Sequence, residues 1–231
     1  MEEIIDTLVS EYRKVNLNTF YDWNFPVDCP IIFPKKVKSN FDKNIYAKKN
    51  IKMLLNTNYI DTSYWIIHEW GGIKSFKQND KNNDRLNYFK QIISNNKFEL
   101  SNSEFSIISS LSKVAAFYNP KIYAIYDSRV IYSLNWFIFL FGKNKKMFPQ
   151  PNGRNSKMSE YDQRTIFNLS KIEYNYLETK MAYSEYCKFL QSIYKKTKIN
   201  IQKMEMFLYA IADSLVIRQI TEKIRLTTAS T

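Results

Sequence analysis

Apolar residues along this chain recur mostly at helical spacing. Ile4, Ile5, Leu8, Val9 and Tyr12 share one face of a first amphipathic helix. Pro26, Pro30 and Pro34 then break the chain, because proline lacks an amide donor and fixes φ. Further on, Ser101 and Glu104 have the spacing of a capping box, in which side chain and backbone satisfy each other's orphan amides. Behind it Ile107, Ile108, Leu111, Val114, Ala115 and Tyr118 keep the 3.6-residue period until Asn119-Pro120 stops it. Asp127 predicts the N-cap of a helix carrying Val130, Ile131, Leu134, Phe137, Ile138 and Phe141. Gly142, followed by Lys143, Lys145 and Lys146, predicts its end: glycine tolerates left-handed backbone, and cations suit the negative pole of the helix dipole. Residues 144–156 hold two prolines and a glycine and predict a loop. Helices resume near Ser159 and Tyr183, and the last runs from about Ile201 through Met204, Leu208 and Ile211 to Leu215. Strand-like alternation is scarce and no internal repeat is evident. The expected fold class is all-α.

At 231 residues the chain supports one large domain or two small ones sharing a core. Its four glycines, Gly71, Gly72, Gly142 and Gly153, exclude a dinucleotide fingerprint or a glycine-rich phosphate loop. A single histidine, His68, and two cysteines, Cys29 and Cys187, exclude zinc clusters and a cysteine-ligated iron–sulfur site within the chain. His68-Glu69 lacks the second histidine of a zinc-protease helix. No metal and no cofactor is expected. The most apolar run, residues 130–141, contains Asn135 and is too short to span a bilayer. The N-terminus is acidic where a signal peptide is basic, and two distant cysteines make no disulfide framework. These features give the expectation of a cytoplasmic monomer away from membranes.

Charge changes the picture further. Lys and Arg number 34 against 22 Asp and Glu, a formal net charge of +12. The 27 lysines, seven arginines and 23 asparagines also fit the residue bias of an AT-rich genome. A field of that sign nevertheless has the phosphate backbone of nucleic acid as its commonest partner.

One stretch adds chemistry. Ser112-Lys113-Val114-Ala115-Ala116-Phe117-Tyr118-Asn119-Pro120, followed by Ile125-Tyr126-Asp127-Ser128-Arg129-Val130, resembles the core of the helix–hairpin–helix DNA glycosylase superfamily, in particular its 8-oxoguanine-glycosylase-like branch. The likeness covers about residues 107–134, with weaker support from Lys203-Met204-Glu205-Met206-Phe207-Leu208. The resemblance implies two helical subdomains, residues 60–120 against 1–59 with 121–231, and a cleft between them. It implies Asp127 and Lys113 as catalytic residues. Arg129, Ser110, Ser112 and Lys121 would contact DNA, and Trp65, Trp70 and Tyr118 would form the base pocket. The implied partner is double-stranded DNA with a flipped base, an oxidised purine or a modified cytosine, phage DNA included. The chain departs from the family pattern in the hairpin, where Ser109, Ser110, Leu111 and Ser112 include no glycine, and in a short connection from Lys113 to Asp127.

The residue types suit that chemistry. Breaking an N-glycosidic bond builds positive charge on the sugar, which a carboxylate stabilises. A lysine kept neutral by its surroundings can attack the sugar carbon and form a Schiff base, adding lyase activity. The same residues also have plainer roles. Asp127 is a helix cap; Lys113, on one unbroken helix over 101–118, would face solvent; Arg129 pairs within its helix or with Asp127; Glu205 and Asp213 are structural carboxylates. Trp65 and Trp70 beside Gly71-Gly72 fit a base-stacking wall, a close backbone approach, or simply a packed helix ending at Gly71. A rival function is a non-catalytic nucleic-acid-binding helical protein, and another is a helical module that binds a protein partner.

Overall fold

A computed structural model describes residues 2–95, 99–153 and 156–224. A 3-10 turn (Glu2–Ile4) leads into α1 (Ile5–Lys14) and the short α2 (Leu17–Phe20). An irregular segment holding three prolines then reaches α3 (Asn40–Asn50), α4 (Lys52–Thr57) and α5 (Tyr59–Trp65). A π-helical turn (Ile66–Trp70) extends α5, followed by α6 (Asp80–Ser94), α7 (Asn102–Phe105) and α8 (Ile108–Tyr118). After α9 (Ser128–Phe141) come β1 (Lys146–Met147), α10 (Ser156–Glu160), α11 (Gln163–Leu169) and β2 (Asn175–Tyr176). The chain closes with α12 (Thr179–Thr197), α13 (Ile201–Ile211), a second π-helical turn (Ala212–Val216) and α14 (Ile217–Lys223).

The fold is mostly helical. Among the described residues its one strand pairing is a two-stranded parallel ladder of Lys146 with Asn175 and Met147 with Tyr176, inside and beyond the segment expected to be loop. Asn135 of α9 explains why the chain extends there: its amide donates to the carbonyl of Phe148 and its Oδ1 accepts that residue's N–H, both at 2.8 Å. A buried asparagine so satisfied holds the backbone straight.

Sequence signals set the element ends. Ser39, Asn79 and Asp162 cap α3, α6 and α11 through side-chain oxygens, and the Ser101–Glu104 capping box closes α7 reciprocally. Gly142 ends α9 as expected but not in left-handed backbone, since it has φ −70° and ψ 136°. The glycine is needed for closeness instead, because a Cβ would lie 2.7 Å from the carbonyl oxygen of Ile138.

The helices α9 and α13 pack along each other at the centre. Both are buried nearly all round, α9 from Val130 to Phe139 and α13 from Ile201 to Ile211, as befits central rather than surface helices. The Ser133 hydroxyl donates to the Leu208 carbonyl at 2.7 Å and fixes their register. The buried apolar residues join in one contiguous cluster. No helix among the described residues is long and apolar enough to cross a membrane.

Candidate active site at the floor of a cleft

The helix expected over residues 101–118 is interrupted. Ile107, with φ −119° and ψ 19°, separates α7 from α8, and the axis restarts at Ile108. Lys113 is therefore not on a solvated face. It is 5% exposed, on a helix that buries eight other residues from Ile108 to Phe117. The break does not lie at residues 109–112, where the family resemblance puts a hairpin. Those residues form the first turns of α8, which corrects that expectation.

Gly71 gives Lys113 its path. A Cβ at Gly71 would lie 2.7 Å from Lys113 Cδ and equally close to the Ile67 carbonyl oxygen. The π-helical turn delivers Gly71 there, its N–H bonding back to Ile66 at 2.8 Å. Both the packed helix ending at Gly71 and the close approach are thus present.

Asp127 reaches the same place from the other side. Its Oδ1 accepts the Val130 N–H at 2.9 Å as the N-cap of α9. Its Oδ2 remains free of that bond and lies 4.0 Å from Lys113 Nζ. The approach is held by Ser112, whose hydroxyl accepts the Tyr126 N–H at 3.0 Å and donates to the Tyr126 carbonyl at 3.5 Å. Ser112 is fully buried, so it fastens the segment before Asp127 and does not contact DNA.

Lys113 and Asp127 line two spaces at once. Outside is a cleft of about 750 Å³ walled by residues 71–76 with Ser106, Ile107, Ser109, Ser110 and Lys113 on one side and by Asp127, Ser128, Arg129, Asn152 and Gly153 on the other. Inside is a cavity of about 20 Å³ lined by Tyr21, Trp23, Trp70, Ile125, Glu205 and Tyr209 as well. That inner volume holds about one water molecule. Trp23, Tyr209, Lys113 and Asp127 border both spaces and form the partition between them.

The aromatic side of the cavity is pinned by hydrogen bonds. Trp23 Nε1 donates to the Trp70 carbonyl at 3.0 Å, and Trp70 Nε1 donates to Asn44 Oδ1 at 2.7 Å. The Asn44 amide donates in turn to the carbonyls of Trp23 and Asn40. The Trp23 and Tyr209 rings meet edge-on at 5.6 Å.

Charge around the cavity is arranged in pairs. One turn beyond Asn44, Lys48 extends its ammonium to Glu205 Oε2 at 2.6 Å, with the two residues 1% and 2% exposed. At the mouth Arg129 pairs with Asp213 at 3.0 Å and lies 4.8 Å from the Tyr209 ring centroid. Burial lowers the Lys113 pKa below its ordinary range; Asp127 and Glu205 oppose that shift and Lys48 reinforces it. Burial likewise raises Glu205, against the pull of Lys48. Lys113 Nζ donates one hydrogen bond among the described residues, to the Ser109 carbonyl at 3.2 Å.

The remaining expected site residues divide. Trp70 lines the cavity and Ser110 the cleft. Trp65 does neither: its indole donates to the Asp28 carbonyl at 2.8 Å and its ring packs on Phe25. Tyr118 points elsewhere too, sharing a hydrogen bond with Ser94 and a face with Lys52. Lys121 sits exposed in the turn after α8, away from the cleft lining. Arg129 pairs with neither its own helix nor Asp127 but with Asp213. Spacing did not single out Tyr21, Trp23, Lys48 and Tyr209. Glu205 did carry a signal, as the only charge in the otherwise apolar run 204–211, and a buried carboxylate of that kind requires a cation.

Among the described residues no group of three or more His, Cys, Asp or Glu side chains is placed to hold a metal. Comparison with protein-family models, with curated proteins and with solved structures finds no match.

Proposed function

We propose that this chain is a DNA glycosylase that hydrolyses the N-glycosidic bond of a damaged or modified base, with Lys113 adding a lyase step. The observation that carries the reading is the approach of a buried lysine amine to a carboxylate, 4.0 Å apart, between an open cleft and an aromatic-lined cavity. The net charge of +12 supplies attraction for a duplex, and Arg129 stands at the cleft mouth.

In this mechanism the flipped nucleotide enters the outer cleft. The base reaches the inner space only as Trp23 and Tyr209 part, since that space is water-sized at rest. The C1′–N bond breaks and its electron pair leaves with the base, which takes up a proton. Asp127 faces the positive charge that builds on the sugar. The Lys113 amine, once deprotonated, bonds to C1′; loss of a proton from nitrogen and opening of the sugar ring at C1′–O4′, with O4′ protonated, gives the Schiff base. Where water adds to C1′ instead, an abasic site results.

An abasic-site assay tests this on a panel of unmodified, 8-oxoguanine, uracil, alkylated, and hydroxymethylated or glucosylated cytosine DNAs. Base release by the wild type that is lost in Asp127→Asn, together with a borohydride-trapped adduct lost in Lys113→Gln, is the expected result. Salt-dependent binding with no abasic product on any substrate would replace it with the non-catalytic nucleic-acid-binding protein.

A further inference from the structure

Three charged side chains, Lys113, Asp127 and Glu205, line the inner cavity, Lys48 stands behind Glu205, and their distances are unequal. Facing Lys113 are Asp127 from the N-cap of α9, Glu205 from α13 and Lys48 from α3, with the hydroxyl-bearing rings of Tyr21 and Tyr209. Asp213 and Arg129 lie at the mouth. Two of the three carboxylates have a close cation, Glu205 at 2.6 Å and Asp213 at 3.0 Å. The third, Asp127, spends one oxygen on capping α9 and keeps the other 4.0 Å from the lysine. Among the described residues Lys113 thus has no carboxylate at hydrogen-bond distance, and it stands beside a cavity wall that contains a carboxylate already bonded elsewhere.

We propose that Lys48 is a positioning residue for Lys113: by holding Glu205 at 2.6 Å it withholds that carboxylate from the Lys113 amine, which is left without an ion pair to Glu205. Burial alone does not achieve this. A desolvated amine beside an unpaired buried carboxylate is drawn into an ion pair with it and ceases to be a nucleophile. The ammonium of Lys48 cancels the negative charge and adds a repulsive one. Its own side chain is fixed by the Glu205 bond and lies 5.8 Å from the Trp70 ring centroid. The pair also explains why Glu205 interrupts an apolar helix: it anchors a cation at a place where no carboxylate alone would be tolerated.

The inference concerns the same site and rests on the glycosylase reading only for what the amine is used for, so its test needs no DNA. The protonation of Lys113 is followed by NMR in protein labelled with 13Cε-lysine, across pH, in full-length wild type, Lys48→Met, Glu205→Gln and the double variant Lys48→Met/Glu205→Met. Lys48→Met is expected to raise the Lys113 midpoint by about one pH unit or more, and Glu205→Gln to lower it by a similar amount. The double variant, which removes both charges, is expected to return within about half a unit of wild type. Opposite signs and a return cannot arise from loosened packing, which would move all three variants the same way. Midpoints that coincide in all proteins, or shifts of one sign, would overturn the proposal. If Lys48→Met does not fold, Glu205→Gln against the double variant decides by the same signs. The NMR pattern together with no base release by the wild type on any substrate would count against the glycosylase reading and leave the charge arrangement standing.

Discussion

Two lysine–carboxylate pairs lie side by side in this molecule and differ in nearly every physical respect. Lys48 and Glu205 touch at 2.6 Å and are sealed from solvent. Lys113 and Asp127 stand 4.0 Å apart and border an open cleft. The first pair is closed on itself, each charge answered by the other. In the second, Asp127 is divided between a helix cap and the lysine, and Lys113 relies on one backbone carbonyl. Tight pairing serves to keep buried charge bearable, whereas the looser pair leaves an amine and a carboxylate oxygen available to a third molecule.

The largest effect should come from breaking the closed pair. Lys48→Met leaves Glu205 buried and alone, and urea unfolding should register a loss of about 3–5 kcal/mol, with the doubly apolar variant recovering most of it. An equal loss in the double variant would mean that shape rather than charge holds the helices there. At the open pair the proposed function places the dominant effect on activity. If that reading holds, Asp127→Asn should reduce base release by about 100-fold or more while stability stays nearly unchanged, because asparagine caps helices as well as aspartate does. A large drop in melting temperature would instead show that the cap is the residue's main use.

Gly71→Ala should then cost about 1–3 kcal/mol in denaturant unfolding, since the added Cβ meets both Lys113 Cδ and the Ile67 carbonyl oxygen. It should also displace the lysine, and trapping should fall with it. Ser112→Ala removes both hydrogen bonds to Tyr126 and should cost about 1–2 kcal/mol. The smallest effect is on pH dependence. The unfolded chain binds the Lys113 proton more tightly than the folded one, so stability should rise with pH between the lowered folded value and the ordinary 10.5. Lys113→Met should flatten that rise, and a profile unchanged from wild type would show the amine charged in the fold.

Much of the helical frame was legible in the sequence because it rests on local signals. The apolar period of Ile5, Leu8 and Val9, the Ser101–Glu104 box and the Asp127 cap each need only neighbours within a turn or two. Lys113 and Asp127 meet from opposite walls of the cleft, a juxtaposition that spacing cannot reveal. Where sequence nearness was read as nearness in space, the structure disagrees. Trp65 precedes Trp70 by little more than one turn of helix, so it faces Asp28 and Phe25 rather than the cavity. Ser112 sits beside Lys113 in sequence and points inward to Tyr126 instead of toward a ligand. The tyrosine and tryptophan wall was illegible for a different reason: Tyr21, Trp23 and Tyr209 come from distant segments, and nothing local separates them from the other aromatic residues of the core.

The bond between Lys48 and Glu205 closes a loop of 157 residues. Contacts of such separation carry a high closure entropy and form late, after the local helices are in place. During synthesis, α3 leaves the ribosome long before its partner on α13 has been made, and Lys48 waits as a charged, hydrated side chain. The charge environment of the cleft is therefore completed only once α13 has been made, and a chain cut before Glu205 would have Lys113 and Asp127 but no carboxylate to hold Lys48. Substitutions at this pair should speed unfolding more than they slow folding, so the interaction acts chiefly as a latch on the finished molecule.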